Sequence, residues 1–210
     1  NPPYLAIKKL LSTIGDVRWI YAEGSNNGPY RDDMSSMWDW APHDVALMLD
    51  ITDSMPSRVQ AWGASVLRPD SHLDDIAFIK LEFPNGVVGF IFNSWLFPEK
   101  RKKVSIIGEK SSIVFDDTAD KKIALYENMG PEVVGSTVTR NEPNVSYPPY
   151  SDEKSLALEL QAFLHTVLEK EKPISDVANV LRVVTVLDAA ERSIAAGGTA
   201  MELYLSRQSR

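Results

Sequence analysis

Between residues 58 and about 138 the chain runs as short β-rich segments broken by turn residues, and the pair Asn85-Gly86 stands between two of them. Asn and Gly both tolerate the left-handed backbone of a tight turn, so residues 75–83 and 87–95 are expected to fold back on one another as a hairpin. Gly108-Glu109-Lys110 divides residues 103–107 from 112–115 in the same way, while 17–22, 58–67 and 122–126 read as further strands. Helix-period runs flank this region. Leu5, Leu10, Leu11 and Ile14 keep helical spacing before Gly15, and a second helix is expected from about residue 38 to between Asp50 and Pro56. Two more cover 156–168 and 177–190, the last stopping at Gly197-Gly198.

Strands in a row with helices before and after, without strict alternation, specify an α+β fold. The expectation is an open, mostly antiparallel or mixed sheet of about six to eight strands, with helices packed on one face, as a single domain over residues 1–210. The uncovered face would carry Trp62, Phe78, Phe90, Phe92 and Trp95, too much apolar surface to leave in water. A homo-oligomer through the sheet face is therefore expected. Residues 24–36 read as a long polar loop of the kind that carries binding groups, and 139–151 as an extended surface loop. The basic run Lys100-Arg101-Lys102-Lys103 reads as a solvated turn between strands, above all at Lys102 and Lys103.

Composition narrows the chemistry. A net charge of −7 argues against a nucleic-acid surface, which needs clustered positive charge. The absence of cysteine excludes disulfides and thiolate metal sites, and it fits a reducing compartment, hence a cytoplasmic location. No run of 18 apolar residues is present, so no membrane span is expected.

The chemistry concentrates in Trp38-Asp39-Trp40-Ala41-Pro42-His43-Asp44. Asp39 and His43 are four apart at the head of an apolar helix-like run, so a carboxylate and an imidazole share one helix face. Histidine titrates near neutrality, which makes the pair a candidate acid/base device. Read without further context, the pair is more readily a first-turn Asp favoured by the helix dipole beside a hydrogen-bonded core His, because spacing alone is a weak signal. A metal site is not expected there, because Asp44 points about 100° away from His43. His72 and His165 stand alone, and Asn144-Val145-Ser146 carries no weight as a glycosylation acceptor.

Three blocks resemble the C-terminal domain of the Gfo/Idh/MocA oxidoreductases, in particular the branch acting on nucleotide-linked sugars. The first is Gly28-Pro29-Tyr30-Arg31 with Trp38-Asp39-x-Ala41-Pro42-His43-Asp44. The second is Ser94-Trp95-Leu96-x-Pro98-x-Lys100-Arg101, then Val104-x-Ile106-Ile107-Gly108 and Phe115-Asp116-Asp117. The third is Pro173-Ile174-Ser175-Asp176, Leu181-Arg182-Val183-Val184 and Glu191-Arg192-Ser193 before Gly197-Gly198. The resemblance implies a two-domain parent whose N-terminal Rossmann domain binds NAD(P), with this half contacting a sugar or nucleotide-sugar substrate and forming the oligomer. It implies that His43 exchanges a proton with a sugar hydroxyl while Asp39 orients or assists it, and that Arg31 and Lys100 meet substrate phosphates or a carboxylate. The sequence departs from that pattern where the cofactor is concerned. No Gly-x-Gly-x-x-Gly follows a strand, so cofactor-binding residues cannot be assigned. Glu171-Lys172-Pro173 spells a family signature but lies between the two last helices, and is read as a decoy. The chain alone is expected to be inactive. Two alternatives stand beside this reading: a non-catalytic binding or assembly module, and a cofactor-free acid/base enzyme working through His43.

Overall fold

The computed structural model describes residues 1–127, 131–134, 137–140, 142–169, 173 and 176–203. It starts with α1 (Pro2–Leu10), whose Asn1 cap side chain accepts from the Tyr4 amide, and a 3-10 turn over Leu11–Thr13. β1 (Val17–Asn27) and α2 (Ser36–Thr52) follow. The strand-rich middle comprises β2 (Arg58–Ala64), β3 (Ile76–Glu82), β4 (Val88–Ser94), β5 (Leu96–Gly108), β6 (Ser112–Asp116) and β7 (Ile123–Glu127). Then come β8 (Pro131–Val134), β9 (Thr137–Arg140), β10 (Asn144–Ser146), α3 (Ser155–Glu169), α4 (Val177–Ala195) and β11 (Met201–Glu202).

The hairpin signal at Asn85-Gly86 is realised. Phe78 lies opposite Phe92 and Ile79 opposite Ile91 across β3 and β4. The Phe83 amide donates to the Val87 carbonyl at 2.9 Å, and Gly86 takes φ +83 with nothing near its missing Cβ. Glycine is therefore required there for its backbone and not for space.

Among the described residues nine strands form one sheet, in the order β10-β7-β6-β5-β1-β4-β3-β2-β11. Its ladders are antiparallel except for β1 with β4, which makes the sheet mixed. The count exceeds eight because β10 and β11 are only 3 and 2 residues long, too short to show an alternation in sequence. The parallel pair has a consequence for the site. β1 and β4 end side by side, with Ser25 opposite Ser94, and α2 leaves from the loop that follows this end of β1. In open sheets the space beyond such carboxyl ends is where ligands bind.

One face of the sheet is core. Ile20 and Ala22 of β1, Ala77, Ile79 and Leu81 of β3, and Ile91 of β4 are buried there with Met48 of α2 and Val186 and Leu187 of α4. α1 is tied to α2 by the Tyr4 hydroxyl, which donates to Asp50, and by a 3.0 Å ion pair between Lys8 and Asp50. Among the described residues no helix covers the opposite face. Trp19, Trp62, Phe78 and Phe90 remain exposed on it, and the Phe78 and Phe92 rings stack at 4.7 Å.

Three expectations need correction. Trp95 is not on the open face: it is fully buried at the junction of β4 and β5. The run Lys100–Lys103 is not a turn but lies inside the 13-residue β5. Acidic partners on neighbouring strand ends hold it there, with Lys102 3.6 Å from Asp117 and Lys103 3.9 Å from Asp116. Residues 139–151 are not a loop throughout, since Asn144, Val145 and Ser146 pair with β7. Of the third motif block, Ile174 and Ser175 lie outside the described residues, as do Glu171 and Lys172.

Candidate functional site

α2 begins at Ser36, two residues before the sequence suggests, because the Ser35 hydroxyl accepts from the Trp38 amide at 3.4 Å and caps the helix. Asp39 consequently sits in the first turn, where the helix dipole favours a carboxylate. Pro42 inside the helix has no N–H to return to the Trp38 carbonyl, a local defect tolerated close to the N-terminus.

Asp39 is held from two sides. Its Oδ2 accepts from the Trp95 indole Nε1 at 3.1 Å, and its Oδ1 lies 3.9 Å from the Arg31 guanidinium. The Asp39 side chain is 31% exposed, so it reaches solvent while remaining anchored. Trp95 can anchor it because its own backbone is fixed at both ends. Its N–H donates to the Asp75 carbonyl at 3.0 Å and its carbonyl accepts from the Gly28 amide at 2.9 Å. Arg68 lies over the indole ring at 5.9 Å and pairs at 3.2 Å with the fully buried Asp75, which also accepts from the Leu67 amide. The Tyr30 ring meets the indole edge-on at 6.5 Å. Two loops, 28–35 and 65–75, are thus bound to one buried tryptophan behind Asp39.

His43 lies one turn further along α2, exposed, and its side chain makes no hydrogen bond among the described residues. Helix geometry sets it on the Asp39 face. The pair therefore consists of an anchored carboxylate beside an imidazole open to a ligand.

The next residue points the other way. Asp44 is only 8% exposed, and burial pushes its carboxyl up to about 7. Asn93 Nδ2 of β4 donates to it at 3.4 Å, while Asn93 Oδ1 and Trp40 Nε1 are buried without partners. Gly24 of β1 has to be glycine here, since a Cβ would sit 2.7 Å from the Trp40 ring. The signal for Asp44 was in the sequence. It belongs to the stripe Ala41, Asp44, Val45, Met48 and Leu49, all buried, whose three- and four-residue steps define the core face of α2.

The other predicted residues divide. Arg31 is near Asp39 but is engaged by Asp33, which accepts two bonds at 2.9 and 2.7 Å and is held below the usual carboxylate range by that guanidinium. Lys100 is exposed where the β1–β5 register slips between Ser25 and Asn27, and no hydrogen bond or ion pair joins it to the Asp39 group. Trp95, Arg68 and Asp75 are the members that sequence reasoning missed. Among the described residues no group of three or more His, Asp or Glu could hold a metal ion. A cleft of about 530 Å³ lies elsewhere, between α1 and the segment around Tyr150.

Residues 4–114, which contain this whole assembly, match the family described as GFO/IDH/MocA C-terminal domain. The chain belongs to that family. No curated protein sequence matches it. Among solved structures, this GFO/IDH/MocA domain is similar to UDP-N-acetylglucosamine 3-dehydrogenase GnnA from Acidithiobacillus ferrooxidans, with a TM-score of 0.76 at 21% identity over 91% of this chain and 59% of that one. An NAD-binding protein from Listeria innocua gives 0.76 at 18% identity, covering 96% and 64%. Aldose-aldose oxidoreductase from Caulobacter crescentus gives 0.75 at 18% identity, covering 97% and 61%. At these identities the likeness establishes the fold. The chain spans about three fifths of the length of these proteins.

The domain's described residues do not fit a dinucleotide by themselves. Gly24, near the carboxyl end of β1, has its space filled by the Trp40 ring, and α2 opens with a Ser35 cap in place of a glycine-rich turn. No helix among the described residues is long and apolar enough to cross a membrane.

Proposed function

We propose that this GFO/IDH/MocA C-terminal domain is the substrate-binding and oligomerising part of an NAD(P)-dependent oxidoreductase that acts on a hydroxyl of a sugar or nucleotide sugar. The observation that carries the reading is the pairing of an unpartnered, exposed His43 with an Asp39 fixed by Trp95, on one face of α2 beyond the carboxyl ends of β1 and β4. His43 exchanges the proton of the substrate hydroxyl, and Asp39 orients that group and balances the imidazolium. Arg31 turns from Asp33 toward substrate phosphates or carboxylate when one arrives, and Lys100 supplies a second, mobile cation at the sheet edge. The redox half belongs to NAD(P) held by a nucleotide-binding domain outside this sequence, so the isolated chain binds substrate without turning it over. The exposed Trp19, Trp62, Phe78 and Phe90 on the open sheet face support self-association there. A cytoplasmic location accords with the cysteine-free sequence. The rival reading, a non-catalytic assembly module, rests on the same aromatic face and predicts self-association with no sugar binding.

Ligand-observed NMR of the intact chain with a panel of UDP-sugars and free aldoses separates them. The expected result is saturation transfer from at least one sugar, weakened about tenfold in His43→Ala and in Asp39→Asn, a loss of ~1.4 kcal/mol. Equal binding by both variants and the parent chain would overturn the site, and no binding at all would favour the assembly module.

A further inference from the structure

The loop between β1 and α2 carries an aromatic side chain that is both restrained and open. Tyr30 is 45% exposed, yet its hydroxyl donates to Asn27 Oδ1 at 3.2 Å. Its ring stands at 89° to the Trp95 indole, with centroids 6.5 Å apart. The backbone is held on either side: the Gly28 amide donates to the Trp95 carbonyl at 2.9 Å, and Arg68 donates to the Arg31 carbonyl. A Cβ on Gly28 would lie 3.7 Å from Tyr30 Cε2, so the ring also rests beside that residue. A ring fixed at so many points has little rotamer freedom left for a ligand to remove. The perpendicular contact with Trp95 consumes at most one face, and flat apolar surface remains open to solvent.

The neighbours of that surface point to its ligand. One indole serves both groups, since Trp95 Nε1 donates to Asp39 Oδ2 at 3.1 Å while the same ring borders Tyr30. The open phenol ring therefore adjoins the carboxylate that stands beside His43. Arg31, next in sequence, lies 3.9 Å from Asp39. A pyranose is polar around its rim but apolar on the face where axial C–H bonds align. Those weakly positive hydrogens suit the negative face of an aromatic ring. An open-chain polyol has no such face. We propose that Tyr30 is a specificity-determining platform, on which the substrate's pyranose ring stacks its C–H face and so presents a ring hydroxyl to His43. A nucleotide base is the less suitable occupant, because the group beside the acid/base pair has to carry the reacting hydroxyl. The platform presupposes the sugar-hydroxyl reading above and narrows it to closed six-membered rings.

Saturation-transfer NMR with irradiation of the protein's aromatic protons tests this on the intact chain and on Tyr30→Leu, Tyr30→Phe and His43→Ala. The ligands are UDP-glucose, glucose, UDP and sorbitol. In the parent chain the strongest transfer is expected at the axial protons of one pyranose face, with sorbitol bound more weakly than glucose. Tyr30→Leu is expected to weaken UDP-glucose about fivefold and to abolish that pattern, with UDP alone changed by less than about twofold. Tyr30→Phe, which keeps the ring and loses only the hydroxyl tie to Asn27, is expected to restore both. Unchanged UDP-glucose binding in Tyr30→Leu, alongside a loss in His43→Ala, overturns the platform and leaves the sugar-hydroxyl reading standing. Equal weakening of UDP and UDP-glucose places the base on the ring and overturns it too. So does a Tyr30→Phe variant as poor as Tyr30→Leu, or sorbitol bound as tightly as glucose. No transfer to any sugar from the parent chain removes the sugar-hydroxyl reading and the platform together.

Discussion

Replacing Trp95 with Phe tests whether the indole anchors Asp39 or merely fills space. The substitution keeps an aromatic ring in a fully buried position but removes the one donor, Nε1–H, that reaches Asp39 Oδ2 at 3.1 Å. A hydrogen bond to a charged acceptor contributes about 1.5–3 kcal/mol. Asp39 is 31% exposed and water competes for it, so a value around or below the bottom of that range, about 1–2 kcal/mol, is expected for this bond. The smaller ring also leaves a gap beside Arg68 and Tyr30, adding ~1–2 kcal/mol that has nothing to do with Asp39. A double-mutant cycle separates the two. Trp95→Phe, Asp39→Ala and the double variant are unfolded in urea and followed by far-UV circular dichroism, since fluorescence changes with the tryptophan itself. The single Trp95→Phe is expected to cost ~2–4 kcal/mol in all, with a coupling energy of about 1–2 kcal/mol between the two positions. A coupling below ~0.5 kcal/mol, with Trp95→Phe still destabilising, would show that Trp95 acts by packing alone.

Two further outcomes follow from the same structure. Asp44 is held above its ordinary 3.8 by burial, so its ionisation opposes folding. The stability associated with its neutral form is fully present below about pH 4 and is lost as pH rises through about 7, by at most ~4 kcal/mol at ~1.4 kcal/mol per pH unit. Asp44→Asn is expected to flatten the profile of urea midpoint between pH 4 and pH 8, and an unchanged slope would contradict the assignment. On the open sheet face, Phe78→Glu removes an exposed ring that stacks on Phe92 at 4.7 Å, and is expected to weaken sheet-face association at least tenfold in sedimentation velocity while moving the thermal midpoint by only a few degrees; retained association would place the oligomer contact elsewhere.

The site was partly legible. Asp39 and His43 could be paired because helix geometry converts a spacing of four into a shared face, whatever the tertiary structure does. Arg31 was singled out by the family resemblance, and the polar loop that carries it leads into the same helix. Trp95 could not, because a tryptophan in a β-rich run looks the same whether it faces solvent, faces the core, or sits at a strand junction. Lys102 and Lys103 were misread for a related reason. A basic tetrapeptide resembles a solvated turn until Asp116 and Asp117 are seen beside it.

Local chemistry alone fixed the turn at Asn85-Gly86, the Ser35 cap region, the period of each helix and the strand-rich middle, since all of these depend on residues within a few positions of one another. Only the assembled fold decided that β1 lies parallel to β4, that Trp95 reaches Asp39 across 56 positions, and that Asp44 is sealed against Asn93 across 49. Alternation tells a strand which of its sides is apolar but not which strand it will lie beside. That choice belongs to contacts distant in sequence, and those contacts place the carboxylate that His43 stands next to.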